Sequence, residues 1–361
     1  PEGGPLKRIL LLDDSDAARQ LAAEDGRVRI VTDWLPEHGG ELVAREKADG
    51  KQLASIVYTS GTTGRPKGVM LSHLNMLSVA HGGLTLLHCY QEDVFLSFLP
   101  LSHTMERTVG YYLCVMTGSS VAYARSVAQL GEDLITIRPT VLVAVPRIFE
   151  RVYGRISDQM EKKGGLAKKL FETTVSIGWK RFLHQQGRGP WPLGSLFWPL
   201  LERVVATKVV SRLGGRIRVA ISGGAALNEE IARVFIGLGV PIVQGYGLTE
   251  TAPIVSGNPI EDNIPSSVGS PIQGVKVKIG ENDELLVHGP GVMLGYWNNQ
   301  AATAQVIGHD GWLHTGDQAR IDESGHIYIT GRIKDILVLS NGEKIPPADM
   351  ESAIVLDPLF E

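Results

Sequence analysis

The sequence predicts an α/β protein in which a layered, largely parallel sheet is followed by a small appended β subdomain. Two observations predict this fold. From residue 9 to residue 244, short apolar runs alternate with helical patterns, as in chains whose parallel strands are connected by helices. After Thr251 the runs become shorter, alternate in polarity and are separated by Gly, Asn and Asp, which favours a small antiparallel sheet or barrel.

Each apolar run is interpreted as one strand. In the first part of the chain these runs are Ile9–Leu12, Val28–Val31, Ile56–Thr59, Val94–Phe98, Val141–Val145, Ile217–Ser222 and Ile242–Gln244. In the second part they are Val275–Ile279, Glu284–Val287 and Ile327–Ile329. We therefore expect the layered body to come first and the small sheet to follow it.

Composition narrows the class of protein. The chain has 361 residues, is 43% hydrophobic and 20% charged, and carries a net charge of −4, which argues against a general nucleic-acid binder. Its two cysteines, Cys89 and Cys114, form no CxxC pair, so disulfide scaffolds and cysteine-based zinc sites are excluded and a reducing cytoplasm is expected. No apolar run reaches the roughly 18 residues of a membrane span.

One segment departs from the acidic average. Residues 147–188 contain ten Lys and Arg against four Asp and Glu, and the apolar stretch Trp191–Trp198 leads from them into an amphipathic pattern through Val205. A solvated helical face packed on the body explains this pattern. The alternative is a surface within residues 147–205 for anionic lipid, giving peripheral contact with the inner face of a membrane, or for a polyanionic cofactor.

The most informative segment is residues 58–68, Tyr-Thr-Ser-Gly-Thr-Thr-Gly-Arg-Pro-Lys-Gly. Ala54–Tyr58 predicts a short buried strand before it, and Ser72 predicts the N-cap of a helix after it. We therefore expect a loop between a strand end and a helix start, where free backbone N–H groups attract anions. Glycines, hydroxyls and Lys67 suit this loop to phosphate, although it lacks the Gly-Lys-Ser/Thr succession of the ordinary P-loop.

Four further clusters carry chemistry: Gln244–Thr251, Ser222–Ala226, Trp312–Asp317 and Gly331–Asp335. The first follows a strand, where open α/β sheets bind ligands, and its Glu250 offers the oxygen that Mg²⁺ prefers. The small residues of the second would let a flat base lie against the backbone, although tight helix–strand packing selects the same residues. Asp317 suits a ribose diol and Arg332 adds a donor, although each alone is more often a turn aspartate or a surface arginine.

Together, Tyr58–Gly68, Tyr246–Thr251, Trp312–Asp317 and Gly331–Asp335 resemble the signature motifs of the adenylate-forming superfamily, which contains acyl-CoA synthetases, luciferases and the adenylation domains of peptide synthetases. Two segments are similar to elements of the bacterial long-chain fatty acyl-CoA synthetases. They are Leu99–Arg107 (Leu-Pro-Leu-Ser-His-Thr-Met-Glu-Arg) and Val145–Tyr153 (Val-Pro-Arg-Ile-Phe-Glu-Arg-Val-Tyr).

The resemblance implies an acid–thiol ligase that converts a long-chain fatty acid, ATP and coenzyme A into acyl-CoA. The carboxylate first attacks the α-phosphate of Mg²⁺-bound ATP, giving acyl-AMP and pyrophosphate, and the thiol then displaces AMP. The resemblance implies catalytic roles for Thr249, Glu250, His103 and Lys67, and Mg²⁺ binding by Thr62 and Glu250. It implies ATP or AMP contacts for Thr59, Ser60, Gly61, Thr62, Thr63, Gly64, Lys67, Gly224, Ala225, Gly245, Tyr246, Gly247, Thr249, Asp317 and Arg332.

Individual roles follow from the same resemblance. His103 is expected beside the reacting carboxylate, unless it is a satisfied, partly buried histidine. Glu106 and Arg107 are expected to be structural and to pair locally. Lys334 matches the hinge about which a small C-terminal domain rotates between the half-reactions, unless it is a solvated lysine.

The implied organisation has five parts. They are 1–50, the remainder of an N-terminal α/β subdomain; 51–255, a central ATP- and acyl-binding α/β subdomain; 256–330, a small β subdomain; 331–336, the hinge; and 337–361, the start of a C-terminal small domain that is otherwise almost entirely absent. The family's adenylation lysine belongs to that domain, so residues 1–361 alone are expected to adenylate poorly.

Two other functions remain open from the sequence. A fatty acyl-AMP ligase stops at the adenylate and passes it to a carrier protein, but its family carries an insertion for which Thr251–Gly295 looks too compact. The other alternative is a non-catalytic relative that binds a nucleotide. The sequence does not determine the oligomeric state, and a dimer is one of the states it allows.

Overall fold

The computed structural model describes residues 8–35, 49–59 and 66–333, together with the short strands 337–338 and 344–345. The chain divides into two compact units, Pro1–Ala48 and Asp49–Glu361. The described strands are β1 (Ile9–Leu11), β2 (Val28–Ile30), β3 (Leu53–Thr59), β4 (Lys67–Ser72), β5 (Val94–Ser97), β6 (Ser120–Tyr123), β7 (Val141–Ala144), β8 (Val219–Ser222), β9 (Ile242–Gly247), β10 (Ile254–Gly257), β11 (Ser270–Pro271), β12 (Lys276–Ile279), β13 (Glu284–His288), β14 (Gly295–Tyr296), β15 (Leu313–Ile321), β16 (Ile327–Arg332), β17 (Leu337–Val338) and β18 (Lys344–Ile345).

The described α-helices are α1 (Asp16–Glu24), α2 (Val31–Trp34), α3 (His73–Leu86), α4 (Leu113–Thr117), α5 (Leu130–Ile137), α6 (Pro146–Lys163), α7 (Gly165–Gln185), α8 (Trp198–Leu201), α9 (Thr207–Val210), α10 (Glu229–Gly237) and α11 (Gln300–Val306). Two π-helical turns, Glu106–Tyr112 and Glu202–Ala206, precede α4 and α9. None of the helices in the described ranges is long and apolar enough to cross a membrane.

The first unit contains a small parallel pair. Strands β1 and β2 pair in parallel from Ile9 opposite Val28, and α1 connects them. The side-chain oxygen of Ser15 accepts a hydrogen bond from the Ala18 N–H, which satisfies a free donor at the start of α1. This strand–helix–strand unit matches the strands predicted in this part of the chain.

A seven-stranded sheet organises the second unit. Its order is β11-β10-β9-β8-β7-β5-β6, and the five strands from β9 to β6 are parallel. Strand β10 runs antiparallel to β9, and β11 runs antiparallel to β10. All four residues of β7 and of β8 are buried, which explains why these strands are apolar except for Ser222. The layered α/β fold class is thus confirmed. The sheet continues through β11, beyond residue 255, where a domain boundary is predicted.

The phosphate-loop segment lies in a different arrangement from the one predicted. Strands β3 and β4 pair antiparallel, with Thr59 opposite Lys67, so the loop between them closes a β-hairpin. The expected helix begins at His73, after a whole strand, and Ser72 caps it as predicted. A strand, β4, therefore separates Lys67 from the helix start. In β3 only Val57 is buried, so the prediction of a buried strand there was wrong.

The small sheet follows as predicted. Strands β12, β13, β15 and β16 form a four-stranded antiparallel sheet in that order. The β15–β16 pairing sets Asp317 directly opposite Arg332. A buried cluster that includes Val255, Leu285 and Ile327 joins this sheet to β10. Asp317 and Arg332, which belong to two separate sequence motifs, therefore lie side by side in the β15–β16 hairpin.

Candidate active site

One large cavity lies at the carboxyl ends of the parallel strands. Its volume is about 1250 Å³, and strand-end residues from β8 and β9 line it together with residues of β4, α3, β15 and β16. Loops that leave the carboxyl ends of parallel strands converge there, which is why open α/β sheets bind ligands at that edge. The lining combines charged and hydroxyl-bearing side chains with a set of apolar ones, many of which belong to one core cluster.

Glu250, Tyr296 and Lys67 form the first polar group. Glu250 lies in the short helical turn Thr249–Thr251 after β9, and its Oε1 accepts a hydrogen bond of 2.8 Å from the Tyr296 hydroxyl. The Nζ of Lys67 lies 4.9 Å from the centre of the Tyr296 ring. Burial and the neighbouring Glu250 carboxylate raise the pKa of Tyr296, so its hydroxyl remains a donor at neutral pH.

Asp317, Tyr246 and Arg332 form the second group. Asp317 is buried, and its carboxylate accepts hydrogen bonds from the Tyr246 hydroxyl at 2.6 Å and from Arg332 Nε at 3.0 Å. The Arg332 side chain remains 58% exposed, so most of its guanidinium faces the cavity or solvent. Burial and the neighbouring Asp317 raise the pKa of Tyr246 well above its usual value. This arrangement is a fixed carboxylate with an adjacent cation.

Two residues of the site were missed by sequence reasoning. Tyr296 supports Glu250, as described above. Glu284 also lines the cavity, where its carboxylate hydrogen-bonds His314 Nδ1 at 2.8 Å and accepts the Gly316 N–H at 2.9 Å. It thereby holds the irregular part of strand β15 that leads to Asp317. The sequence signal for both was weak, because each is a single residue in a short β run.

His103 lies at the cavity wall and is exposed. Its Nδ1 accepts a weak hydrogen bond of 3.3 Å from the Met105 N–H. In the neutral ring, that contact assigns the proton to Nε2, which is then a donor. The prediction that Glu106 and Arg107 pair was wrong. Arg107 donates to the Leu101 carbonyl and the Ser55 hydroxyl, while burial raises the pKa of the Glu106 carboxyl.

Two buried hydroxyl groups lack protein partners. The Oγ1 of Thr104 and the Oγ of Ser222 line the cavity, and neither has a hydrogen-bond partner among the described residues. An unpaired buried polar group costs free energy, so these hydroxyls suit a polar ligand or water. Gly224 lines the cavity beside them, whereas Ala225 is exposed and is not part of the lining.

The glycines of β9 have a packing role. A Cβ on Gly247 would lie 1.7 Å from the Pro253 carbonyl oxygen, because β10 turns back directly alongside. Gly245 has more space, with the Ser256 carbonyl oxygen 3.1 Å from an added Cβ. The absence of a side chain at Gly247 is therefore required by the strand reversal, whether or not a ligand approaches.

The apolar end of the cavity lies between the sheet, α3 and the helix that begins at Glu106. Its lining comprises Gly83, Leu86, Leu87, Leu99, Met105, Val109, Leu113, Val145, Ile221, Val243 and Ile254. Because the polar groups described above share the same cavity, a ligand with a charged head and a hydrocarbon tail matches both ends.

The structure brings most of the predicted site residues to this cavity. They are Thr59, Lys67, His103, Gly224, Gly245, Tyr246, Gly247, Thr249, Glu250, Asp317 and Arg332. The predicted site residues Ser60, Gly61, Thr62, Thr63 and Gly64 and the predicted hinge residue Lys334 lie outside the described residues. Of the two predicted metal ligands, only Glu250 is described. The described part of the chain contains no group of three or more His, Cys, Asp or Glu placed to hold a metal.

The sequence model of the AMP-binding enzyme family matches residues 4–297. The chain belongs to this family. Among its curated relatives, the long-chain-fatty-acid–CoA ligase FadD15 of Mycobacterium bovis is 34% identical over 354 residues, covering 95% of this chain and 58% of FadD15. Long chain acyl-CoA synthetase 6, peroxisomal, of Arabidopsis thaliana is 35% identical, covering 83% of this chain and 44% of that protein. The chain thus spans about half the length of these relatives.

Solved structures of other proteins share the fold. ATP-bound MatB from Rhodopseudomonas palustris superposes with a TM-score of 0.64 at 27% identity, over 88% of this chain and 55% of MatB. The o-succinylbenzoate CoA synthetase MenE from Bacillus subtilis, in complex with the acyl-adenylate OSB-AMP, gives a TM-score of 0.68 at 23% identity, over 97% of this chain and 63% of MenE. The MatB structure was solved with ATP bound. The similarity to MenE, at 23% identity, is evidence for a shared fold only.

Proposed function

We propose that the protein is a long-chain fatty acid–CoA ligase, which forms acyl-AMP from a fatty acid and ATP and then transfers the acyl group to coenzyme A. One observation carries the proposal. A single cavity is lined by a lysine, three carboxylates (Glu250, Glu284 and Asp317), two unpaired hydroxyls and a set of apolar side chains. The names of the curated relatives point to the same substrates. Free Cys89 and Cys114 fit a reducing compartment, so we infer a cytoplasmic enzyme.

The polar end fits ATP. Lys67 would neutralise the β- and γ-phosphates at the base of the hairpin loop, and Thr249 would donate to the α-phosphate or the acyl carboxylate. Asp317 would accept from the ribose hydroxyls, since each carboxylate oxygen has a second lone pair besides the one used by Tyr246 or Arg332. Gly224 and Tyr246 would flank the adenine. The positions of these groups in one cavity support this arrangement.

The first half-reaction replaces the poor leaving group of the fatty carboxylate with a good one, AMP. A carboxylate would have to expel oxide, whereas an acyl-AMP expels AMP. The fatty carboxylate oxygen attacks the α-phosphorus, the bond to the bridging oxygen breaks, and pyrophosphate leaves with the electron pair. Charge gathers on the phosphate oxygens, so Lys67 and Thr249 would act by position and electrostatics. Bound through Glu250 and Thr62, Mg²⁺ would neutralise further phosphate charge, and an oxygen ligand such as Glu250 fits that ion.

The apolar end fits the fatty acyl chain. Its carboxylate would lie near His103, whose Nε2–H is a suitable donor, and its chain would extend towards Leu113 and Val109. Each buried methylene contributes about 0.8 kcal/mol, so a long chain gains much of its binding energy here. In the second half-reaction the thiolate of coenzyme A attacks the acyl carbon, the thioester forms and AMP leaves. Lys334 would be the hinge for that step.

The test supplies the full-length protein with ATP, Mg²⁺ and carboxylates of graded chain length, with and without coenzyme A, and follows products by mass spectrometry. The expected result is acyl-CoA from long chains and acyl-AMP when coenzyme A is omitted. Accumulation of acyl-AMP despite coenzyme A would identify an acyl-AMP ligase instead. ATP binding without any product would identify a non-catalytic relative.

A further inference from the structure

The segment from Leu193 to Val210 has two apolar faces. It comprises a 3₁₀ turn (Leu193–Phe197), α8, the π-helical turn and α9. Its inner face, Trp198, Leu201 and Ala206, is buried, and Trp198 and Ala206 belong to a core cluster with Phe171 and Val175 of α7. These residues account for the packing of the segment on the body. Val205 and Val209 also pack against that cluster. By contrast, Leu193, Leu196, Phe197, Leu200 and Val204 belong to none of the core clusters of the described residues.

The outer face is a stripe of exposed apolar side chains. Their spacing of three or four residues puts them on one side of the helical path. The exposed fractions are 78% for Leu193, 71% for Leu196, 64% for Phe197, 63% for Leu200 and 38% for Val204. Trp191, which is half exposed, precedes the stripe. A contiguous exposed stripe of this kind marks an interaction surface, whereas single exposed apolar residues need no explanation.

The segment is fixed to the body, which keeps the stripe facing outward. A Cβ on Gly194 would lie 2.9 Å from Ile177 Cγ1, so the backbone there rests directly on α7. Just before the segment, Arg188 donates to the Asn263 carbonyl at 2.7 Å, and the Gln186 amide donates to the Ile260 carbonyl at 3.0 Å. Local rotation would therefore not bury the stripe without breaking these contacts.

The segment that carries the stripe has a net positive charge, with Arg203 and Lys208 against Glu202. Arg203 and Lys208 are exposed, and Lys208 lies one turn beyond Val204 on the same side. Glu202 is the acidic residue of the segment, and the preceding residues 147–188 carry ten Lys and Arg against four Asp and Glu. A second copy on this surface would bring like charges together. A surface with exposed hydrocarbon and negative headgroups matches both features.

We propose that the stripe Leu193, Leu196, Phe197, Leu200 and Val204, with Arg203 and Lys208 beside it, docks the protein on the surface of a bilayer that contains anionic lipids. The apolar side chains would enter the boundary between headgroups and acyl chains, and the basic side chains would meet the phosphates. The protein would lie on the membrane without crossing it. This inference is independent of the proposed reaction, because the stripe belongs to the outer surface and not to the cavity lining.

The test measures binding of the full-length protein to vesicles of phosphatidylcholine, with and without about one-third phosphatidylglycerol, by flotation. The triple variant Leu196→Ser/Phe197→Ser/Leu200→Ser is expected to bind at least about tenfold more weakly to both kinds of vesicle. The variant Arg203→Gln/Lys208→Gln is expected to lose about fivefold per charge on anionic vesicles only. The control Val115→Ser/Tyr123→Ser/Ile135→Ser also removes exposed apolar groups and is expected to bind normally.

A second measurement locates the contact. A Leu196→Cys variant carrying an environment-sensitive dye should show a blue shift when anionic vesicles are added. Burial raises the pKa of Cys89 to about 11 and of Cys114 to about 12, so both thiols should label slowly.

The proposal is overturned if the wild type does not bind vesicles or if the triple variant binds them as well as the control variant does. It is also overturned if the triple variant loses a dimer in light scattering while its vesicle binding is unchanged, or if position 196 resists labelling in the intact protein. Ligase activity on a soluble short-chain acid should be unchanged in every variant, so failure of the proposed function would be seen separately.

Discussion

Replacing Gly83 with leucine should shorten the acyl chain that the enzyme accepts. Gly83 lies in α3 and lines the apolar end of the cavity, where an added Cβ would stand 3.4 Å from Ile254 Cδ1 and 3.7 Å from Leu113 Cδ1. A Cβ therefore fits at ordinary contact distance, and the other three carbons of leucine must project into the cavity. If they displace about three methylenes, at about 0.8 kcal/mol each, long chains lose about 2.4 kcal/mol, or roughly 60-fold in kcat/KM.

The assay is a kcat/KM series from octanoate to stearate on the full-length protein. Octanoate should react nearly as well as with the wild type, because its tail does not reach the new side chain. Gly83→Ala should give a small effect at most. Gly154→Leu is the matched control, since Gly154 also lies in a helix but has no heavy atom within 4 Å of an added Cβ. Equal losses for short and long acids, or no loss at all, would refute the position of the acyl chain.

Three further changes test the polar end and the scaffold. Tyr296→Phe removes the hydroxyl that holds Glu250 and should lower the rate of ATP–pyrophosphate exchange about tenfold, with an unchanged melting temperature. Asp317→Asn should raise KM for ATP at least about tenfold in the same assay, because a charge-assisted pair is lost. Burial opposes ionisation of Asp93, yet hydrogen bonds, chiefly from Arg218, keep its pKa below the usual value. Its contribution to stability is thus full above about pH 4 and falls as the pH drops through the lower, folded-state pKa. Asp93→Asn should lower the free energy of unfolding by about 3 kcal/mol at neutral pH and weaken the loss of stability in acid, as measured by urea denaturation. An acid dependence equal to that of the wild type would contradict the last of these.

The parallel core was predictable because its strands are buried on both faces. Val141–Ala144 and Val219–Ser222 are apolar almost throughout, which distinguishes them from the amphipathic helices between them. The β3–β4 hairpin was harder to predict. In β4, Val69 and Leu71 are completely buried, but this alternation is short and runs directly into the apolar residues of α3. The sequence therefore suggested a loop that leads straight into the helix.

The candidate site was predictable where a motif is local. Tyr246 and Glu250 belong to one short segment, so the sequence presents them together. Tyr296 was not predictable, because its role depends on a contact with Glu250, which lies 46 residues away in the chain. Glu284 was missed for the same reason, since its partner His314 lies 30 residues further on. Supporting contacts of this kind arise from strand pairing, which the sequence indicates only loosely.

Strand β14 connects strand β4, which begins at Lys67, with the turn that carries Glu250. It pairs antiparallel with β4, with Tyr296 opposite Val69, and the Trp297 N–H donates to the Gly68 carbonyl at 2.7 Å. Just before the strand, the Met293 N–H donates to the Glu250 carbonyl at 2.9 Å, and the Tyr296 hydroxyl holds the Glu250 carboxylate. The base of the hairpin loop and the Glu250 turn therefore share one backbone support. A displacement of β14 would move Lys67 and Glu250 together, so this strand holds the lysine and the carboxylate in one arrangement.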